Sequence, residues 1–417
     1  MLRAYRYRIY PSEEQKILFA KTFGCCRVVY NWALDVKKKL WEEDKQSIGV
    51  IALTNKMKAE LKTEKEWLRE VNSQSLQSAV RNCDTAFKNF FNKTGKYPKF
   101  KDKYARQAFT NPQHCTVDFK KKIISIPKAK DIKTVFHRTF KGEVRQITIV
   151  KEPDGRYYAS ILTENREKLP EIKESTEKGT IGIDTGIKSF AVLSTGKIYE
   201  NVHIGKKEAN KLKHCQRQLK RKTKGSRAYK EVRHHIAVLN SKIGHRRSDY
   251  LDKVTHEIVC KSQADTICVE NLNVKGMLGN HHLAYSIADV ALGEFYRKLK
   301  YKCQINGLNY VEIDRFAPSS KMCSNCGSIY QTLKLSEREW TCKTCHTHHD
   351  RDFNASVNIK NIGLKTLRSE RAEVKPVDCP LVDDKKAKAF PKKQWQVETG
   401  KVQGQSVREA SQSLVAW

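Results

Sequence analysis

The sequence contains no long apolar run and has comparatively few acidic residues. No stretch approaches the roughly 20 apolar residues that a membrane-spanning helix needs, and the opening MLRAYRYRIYP lacks the apolar core of a secretory signal peptide. The 46 acidic residues are outnumbered by 80 lysines and arginines, which leaves a formal net charge of +34 over 417 residues. The sequence therefore predicts no membrane partner but a polyanion, since basic side chains gain affinity by displacing counterions from phosphates. A charge that serves only solubility is the weaker alternative at this magnitude.

The 13 cysteines do not form the pattern of a secreted disulfide scaffold. Four form the metal-type cluster described below, and the other nine are scattered. Some of these, such as Cys25, Cys26, Cys260 and Cys268, lie in apolar stretches where buried thiols are expected. An odd, scattered set indicates a reducing compartment. We therefore expect a cytoplasmic, nucleoid-associated protein.

The spacing of apolar residues divides the chain into segments of different secondary structure. Residues 2–10 alternate as a strand, and segments near 12–44, 50–62 and 72–92 have helical periodicity, beginning at a Ser12–Gln15 capping box. Strand patterns follow, with a hairpin turn at Asp154-Gly155. The predicted fold class is multidomain α+β and α/β. Its predicted parts are a β-barrel (1–11 and 113–166), a helical insertion (12–112), a linker (167–179), an α/β domain (180–322 and 347–365) with a basic helical hairpin (205–260), a zinc ribbon (323–346) and a disordered tail (366–417).

Aromatic and basic side chains alternate in KYPKFKDKYARQAF, residues 96–109. This pattern suits a groove that follows a nucleic-acid backbone while bases stack on the aromatic rings. A linker whose aromatic side chains pack into the core is the alternative. The candidate nucleic-acid contacts are Tyr5, Tyr97, Lys99, Phe100, Lys101 and Lys103, together with Arg217, Lys220, Arg221, Lys222, Arg246 and Arg247 on the basic hairpin.

Two Cys-x-x-Cys pairs, Cys323/Cys326 and Cys342/Cys345, are separated by fifteen residues. This spacing is typical of a four-thiolate zinc ribbon, in which no coordination position is left for water. We therefore predict structural Zn²⁺; two disulfides or an iron–sulfur cluster are weaker alternatives. The nearby His346, His348 and His349 are expected to hydrogen-bond phosphates or the metal ligands rather than to form a second metal site.

Three carboxylates lie at the ends of predicted elements. Asp184 ends the buried run IGID, where Gly182 and Gly186 are expected to keep the turn uncrowded, and Glu270 closes the apolar strand TICVE. Asp352 is preferred over Asp350 in HDRDFN because it directly precedes the helix NASVNI. Taken singly, each has an ordinary alternative as a turn residue, a surface acid or a helix cap.

The order of the predicted elements indicates that the three acids belong to one active site. The predicted elements follow the order of an RNase H-like nuclease domain. That order is a strand, hairpin strands, a helical insert, a strand with an acid, a helix, a strand and an acid at the start of a helix. In that domain the acids converge at one sheet edge and hold two divalent cations about 4 Å apart for hydrolysis of a phosphodiester. Ligands with oxygen only suit Mg²⁺ or Mn²⁺. We therefore predict Asp184, Glu270 and Asp352 as catalytic metal ligands.

The chain resembles the TnpB (OrfB) family of insertion-sequence proteins, compact relatives of type V CRISPR nucleases. The resemblance rests on several motifs in order: FGCCRVVYNWAL, AFKNFFNKTGKYPKFK, IGIDTGIKSFAVLSTG, VENLNVKGM, SSKMCSNCG and HDRDFNASVNI. It departs from the family at Thr185, where Leu is common, and at His346, where Gly is usual.

The resemblance implies an RNA-guided DNA endonuclease with a RuvC-type active site formed by Asp184, Glu270 and Asp352. It also implies a guide RNA transcribed from the end of the element. The implied target is double-stranded DNA beside a short transposon-adjacent motif, read by the barrel and the helical insertion, with one strand displaced. A monomer on one guide RNA is the expected assembly.

Three other functions stay open from the sequence. A nuclease-inactive, RNA-guided repressor would require a missing acid, and all three are present. A conventional strand-transfer transposase could use the same core, although no separate helix-turn-helix signature is apparent. A non-enzymatic, zinc-dependent RNA-binding protein would leave Asp184 and Glu270 unexplained.

Overall fold

In the computed structural model of the protein, residues 1–334 and 336–373 are described. Most of the predicted tail, residues 374–417, lies outside them. Residues 366–373 do not belong to a disordered tail, because they form the end of a helix. Residues 1–369 pack as one compact unit. No helix in the described part of the chain is long and apolar enough to cross a membrane.

The N-terminal half is built around a seven-stranded antiparallel sheet in the order β2-β6-β7-β1-β5-β4-β3. Its strands are β1 (Leu2–Tyr10), β2 (Gln107–Asn111), β3 (Thr116–Asp118), β4 (Ile123–Ile126), β5 (Ala129–Val135), β6 (Glu143–Lys151) and β7 (Tyr157–Glu164). The predicted turn between β6 and β7 is confirmed: Gly155 has a φ of 81°, and the Asp154 carboxylate accepts a hydrogen bond from the Arg156 N–H at 3.0 Å. Among the described residues, no strand pair joins β2 to β3, so the barrel stays a prediction.

Four helices between β1 and β2 cover this sheet. They are α1 (Glu13–Asp44), α2 (Val50–Lys56), α3 (Lys62–Glu64) and α4 (Ser73–Phe91), with a π-helical turn at Met57–Leu61 and a 3-10 helix at Glu66–Glu70. Helix α1 begins at the predicted capping box, in which Ser12 and Gln15 exchange hydrogen bonds. The ring of Phe19 on α1 lies 5.5 Å from that of Phe109 on β2. The predicted insertion therefore ends earlier than residue 112, because β2 already belongs to the sheet.

A five-stranded sheet in the order β10-β9-β8-β11-β12 forms the second half. Its strands are β8 (Thr180–Thr185), β9 (Ser189–Leu193), β10 (Ile198–Glu200), β11 (Thr266–Glu270) and β12 (Asn309–Ile313). Strands β8, β9 and β10 are antiparallel neighbours, whereas β11 is parallel to both β8 and β12. The carboxyl ends of β8, β11 and β12 therefore meet at one edge of the sheet.

Helices and a small two-stranded sheet complete the second half. They are α5 (Ile204–Lys220), α6 (Arg227–His256), α7 (Val274–Met277), α8 (Ala284–Val290), α9 (Leu292–Asn306), β13 (Glu339–Thr341), β14 (His348–Asp350) and α10 (Arg351–Glu373), with a π-helical turn at Glu257–Lys261. Ser226 caps α6 after Gly225, as the predicted hairpin requires. The predicted burial of Cys260 is wrong: its side chain is exposed, whereas Cys25, Cys26 and Cys268 are buried.

Candidate active site and metal centre

Two of the three predicted acids lie side by side at the carboxyl edge of the second sheet. Ile183 of β8 pairs with Val269 of β11, and the next residue on each strand is Asp184 or Glu270. Neighbouring strands are about 4.8 Å apart, so the two acids emerge from adjacent positions. This is the placement that the strand-end pattern predicts.

Helix α10 brings the third acid to this edge by packing directly on the strands. A Cβ atom on Gly182 of β8 would lie 2.0 Å from the carbonyl oxygen of Ser356, and one on Gly363 of α10 would lie 2.3 Å from the Cys268 sulfur. Only glycine permits so close an approach at these two positions. Gly182 is therefore a helix-contact residue within the strand, and the expectation that it serves the turn is wrong.

The two aspartates of HDRD have different places at the start of α10. The Asp350 carboxylate accepts a hydrogen bond from the Phe353 N–H at 2.8 Å and so caps the helix. Asp352 lies inside the first turn, because the helix begins at Arg351 rather than after Asp352. The choice of Asp352 as a catalytic acid stays a prediction, and the reason given for it, a position before the helix, is wrong.

The pKa of Asp184 is affected by both of the other predicted acids. Burial raises the pKa of Asp184 well above its ordinary value, and the carboxylates of Glu270 and then Asp352 raise it further. Burial also raises the pKa of the Tyr296 hydroxyl, with added contributions from Glu270 and Asp184. Negative charges gathered at a partly buried sheet edge are costly without a cation, and carboxylate oxygens are the ligands that Mg²⁺ and Mn²⁺ prefer.

Three neighbours of these acids were not predicted from the sequence. The Ser319 hydroxyl donates a hydrogen bond to Glu270 Oε1 at 2.5 Å, and Arg338 Nη1 lies 3.2 Å from Asp352 Oδ1. Thr185 Oγ1 lies 2.6 Å from the Tyr296 hydroxyl, which gives the unusual threonine a polar partner. Each contact joins residues 14 or more positions apart, so no local pattern in the sequence could have revealed them.

The four predicted cysteines form a cluster that fits a tetrahedral metal. Their sulfur atoms all lie within 4.8 Å of one another. The Cys323–Cys345 and Cys326–Cys342 sulfur distances are both 3.6 Å. Four Zn–S bonds of about 2.3 Å place neighbouring sulfurs about 3.8 Å apart. The residues present therefore fit Zn²⁺.

The two halves of the cysteine cluster have matching backbone turns. The Gly327 N–H donates to the Cys323 carbonyl at 2.9 Å, and the His346 N–H donates to the Cys342 carbonyl at 3.0 Å. Both turns need a positive φ, 78° at Gly327 and 58° at His346. Histidine is among the residues that adopt this conformation more readily than most, which explains how it replaces the usual glycine.

Two histidines near the cysteine cluster, His349 and His348, have different partners. His349 Nε2 lies 3.0 Å from the Cys323 sulfur, and its ring lies 4.8 Å from that of Trp340 between centroids, tilted by 39°. This agrees with the expectation that a histidine supports the metal ligands. His348 Nδ1 lies 3.3 Å from Thr341 Oγ1 instead.

The cysteine cluster is connected directly to the acids. Strand β14 pairs with β13 and runs into α10 without a loop. Asn354 of α10 accepts a hydrogen bond from the Ser324 N–H at 2.9 Å and donates one to the Met322 carbonyl at 2.8 Å. Asn358, one turn later, donates to the Ser319 carbonyl at 2.7 Å. The ribbon and the first two turns of α10 therefore move together.

The candidate nucleic-acid residues fall into two groups. Some are exposed, as the prediction requires: Tyr97, Lys99, Phe100, Lys103, Arg217, Lys220, Arg221 and Lys222. Tyr97 lines a groove of about 1080 Å³ between α1, α2 and α4, and its ring meets those of Phe87 and Phe90 edge-on.

The other candidates are engaged within the protein. Lys101 Nζ lies 3.7 Å from the ring centroid of Tyr30, and Tyr5 is half-buried against Phe140. Arg246 pairs with the buried Glu208 at 3.2 Å. Arg247 pairs with the buried Asp289 at 2.9 Å. The first ion pair joins the two helices of the basic hairpin, the second joins the hairpin to α8, and both leave less of each cation for a phosphate.

Three family models match parts of the sequence. A helix-turn-helix signature is not apparent in the sequence, yet residues 1–46 match a "Helix-turn-helix domain"; in the structure they contain β1 and the single helix α1. Residues 160–281 match a "Probable transposase" model, OrfB_IS605, and residues 293–359 match the "Cas12f1-like, TNB domain".

Curated relatives match over most of their length. A "Putative RNA-guided DNA endonuclease" of Streptomyces pristinaespiralis is 35% identical over 366 residues, which cover 87% of this chain and 89% of the relative. The "Putative RNA-guided DNA endonuclease InsQ" of Escherichia coli is 30% identical over 384 residues, covering 88% and 93%.

A solved structure shows a similar fold. The protein of a Cas12f1-sgRNA-target DNA complex aligns with a TM-score of 0.55 over 87% of this chain and 99% of its own, at 14% identity. At this identity the likeness supports the fold alone.

Proposed function

Because this chain belongs to the TnpB (OrfB) family of RNA-guided DNA endonucleases, we propose that it cleaves DNA chosen by a bound guide RNA, with Asp184, Glu270 and Asp352 as the catalytic acids. The observation that carries this proposal is the meeting of the acids at one sheet edge: Asp184 and Glu270 lie at the ends of adjacent parallel strands, and Glu270 and Asp352 both raise the pKa of Asp184. The second sheet, with an antiparallel hairpin followed by two parallel strands, supports an RNase H-like (RuvC) nuclease domain.

The donors at this site suit Mg²⁺ or Mn²⁺. Asp184, Glu270 and Asp352 would hold two such ions, which would activate the attacking water and stabilise the leaving oxygen of a phosphodiester.

The residues around the acids prepare them for this task. Ser319 fixes one oxygen of Glu270 by its hydrogen bond and leaves the other available. Arg338 faces Asp352 and compensates its charge until a cation takes its place. The Zn²⁺ of the cysteine cluster has a structural role, since its four thiolates would leave no position for water; it holds the path of the chain into Asp352.

The partners follow from charge and from the family. A net charge of +34 suits a guide RNA, a double-stranded target and its displaced strand. Base pairing with the guide would read the target sequence, while the protein reads helix shape and a short transposon-adjacent motif. The seven-stranded sheet and helices α1 to α4 are the proposed readers of that motif. The guide is expected from the end of the element, bound to one protein monomer.

Copurified RNA and guided cleavage test this function together. The protein is expressed with the DNA that flanks its gene, any copurifying RNA is sequenced, and the complex is incubated with a plasmid library and Mg²⁺ beside Asp184→Ala. We expect a discrete RNA and guided cuts that disappear in the variant. A discrete RNA without cuts would indicate a repressor instead. Absence of a defined RNA would refute RNA guidance and favour a strand-transfer transposase.

A further inference from the structure

The side chain of Phe316 is 87% exposed, more than that of any other large hydrophobic residue in the described part of the chain. A single exposed apolar side chain is ordinary in a folded protein. The position of Phe316 is what gives its exposure meaning. It follows β12 by three residues, at the sheet edge from which Asp184 and Glu270 emerge.

The loop that carries Phe316 is held on both sides of this residue. The Phe316 N–H donates to Asp314 Oδ1 at 2.8 Å, and the Ala317 N–H donates to the Asp314 carbonyl at 3.2 Å. The Ala317 side chain packs on the cluster formed by Cys268, Val311, Ile313 and Ile359. The ring therefore points outward from a backbone that is fixed in a turn.

The same loop touches the catalytic acids. Ser319, three residues after Phe316, donates its hydroxyl hydrogen bond to Glu270 at 2.5 Å. Three residues of extended chain span at most about 11 Å. Stacked nucleotides repeat every 3.4 Å along a strand, so the Cα atom of Phe316 lies within about three nucleotide steps of that of Ser319, the residue that holds Glu270.

We propose that Phe316 is a positioning residue that stacks on an unpaired DNA base close to the scissile phosphate. This inference rests on the proposed nuclease function and names the strand contact of the same site. A single strand is the favoured occupant because only unpaired bases offer a free face for an aromatic ring. Stacking also tolerates every base, which suits an enzyme whose sequence choice is made by a guide.

Charge at the loop agrees with a nucleic-acid strand rather than an apolar protein partner. Arg315, the residue before Phe316, donates from its Nε to the carbonyl of Asn271 at 3.3 Å, so a cation is held beside the residue that follows Glu270 in the chain. In single-strand binding sites, a cation contacts the phosphate while a nearby aromatic ring stacks on the base. The side chain of Phe316 is 87% exposed, so its ring is accessible to a base.

A double-mutant cycle tests the stacking directly by combining a Phe316 variant of the protein with the removal of single bases from the DNA. The guided complex with Mg²⁺ is given targets in which single abasic sites are moved along the displaced strand around the mapped cut, and single-turnover cleavage rates are measured. In the wild-type protein, we expect one or two positions at which loss of the base slows cleavage about 10-fold, the size of one aromatic–base stack. Phe316→Ala should be about 10-fold slower on intact DNA and insensitive to the abasic sites.

Matched variants separate stacking from a folding effect. Phe316→Trp should restore both the rate and the sensitivity to abasic sites, and Phe316→Ala should melt within about 1 °C of the wild type, since an exposed side chain contributes little to stability. Ile198→Ala removes another exposed apolar side chain, on β10, the outer strand on the other side of the sheet from β12. This variant should keep the wild-type cleavage rate and abasic profile.

The outcomes distinguish this inference from the function on which it rests. If the wild type cleaves and Phe316→Ala shows the same rate and the same abasic profile, stacking is refuted while the nuclease function stands. If Phe316→Ala is slower but keeps the wild-type abasic profile, the ring acts through something other than a base and the inference is also wrong. If the wild type itself makes no guided cut, the proposed function fails first.

Discussion

Substitution of Gly182 by alanine should disturb both the fold and the active site, because this residue is where α10 rests on β8. The added methyl group would lie 2.0 Å from the Ser356 carbonyl oxygen and 2.5 Å from the Lys360 backbone nitrogen. Both neighbours are backbone atoms, which cannot swing away as a flexible side chain could. To restore an ordinary contact of 3.4 Å, the helix would have to move by about 1.4 Å.

The size of this shift sets the expected magnitudes. Overpacking by one methyl group in a well-packed contact costs about 2 kcal/mol, so Gly182→Ala should lower the free energy of unfolding by about that amount. Asp352 lies one turn before Ser356 on the same helix, so it would move away from Asp184 and Glu270. A displacement near 1 Å costs about 100-fold in rate. We therefore expect about 100-fold slower cleavage under conditions where the variant is still folded.

Thermal unfolding and single-turnover cleavage, measured with the guide RNA bound and Mg²⁺ at saturation, separate the two effects. Gly24→Ala is the matched control: Gly24 lies within α1, and a Cβ atom there would meet nothing within 4 Å. That variant should be unchanged or more stable by about 1 kcal/mol, the helix preference for alanine. A Gly182→Ala protein with wild-type melting and wild-type rate would refute the packing argument. Lower melting with an unchanged rate would refute the link to Asp352.

Three further predictions concern the start of α10 and the ribbon. Asp352→Asn should abolish cleavage with little change in melting, whereas Asp350→Ala should retain measurable cleavage and lose about 1 kcal/mol of stability with its helix cap; equal cleavage rates in the two variants would contradict the assignment. Cys323→Ser, or removal of zinc by a chelator, should lower zinc content by atomic absorption and reduce cleavage even at high Mg²⁺, and full activity without zinc would show that the ribbon does not hold Asp352 in place. Arg338→Ala should bind Mn²⁺ up to about 5-fold more tightly in the absence of DNA, since a partly exposed ion pair of less than about 1 kcal/mol no longer competes for Asp352; weaker or unchanged binding in a titration would exclude this competition.

The cysteine cluster and the strand-end positions of two acids were predictable because their signals are local. The cysteine spacing and the placement of an acid after an apolar strand are written in a few consecutive residues, and parallel strands bring their carboxyl ends to one edge whatever the details of packing. For this reason Cys323, Cys326, Cys342 and Cys345 meet in one cluster as expected. The hairpin turn and the capping box have the same local character.

Other properties depend on contacts between distant residues. Arg246 and Arg247 belong to a basic run and were expected to meet phosphate, but the fold brings Glu208 and Asp289 to them. Cys260 lies in an apolar stretch, yet the π-helical turn at Glu257–Lys261 leaves its side chain exposed. A run of charged or apolar residues indicates whether a side chain favours water or the protein interior. It does not indicate which distant residue will contact that side chain.

The sequence by itself determined the charge of the protein, its metal-ligand types, the order of its elements and the residues from which an active site can be built. Only the tertiary structure decided that Gly182 is a packing contact, that Asp350 caps α10 while Asp352 raises the pKa of Asp184, and that Ser319 holds Glu270. The physical reason is range: spacing along a chain sets helix and strand periods over a few residues, whereas a carboxylate acquires its neighbours and its pKa only when segments far apart in sequence pack together.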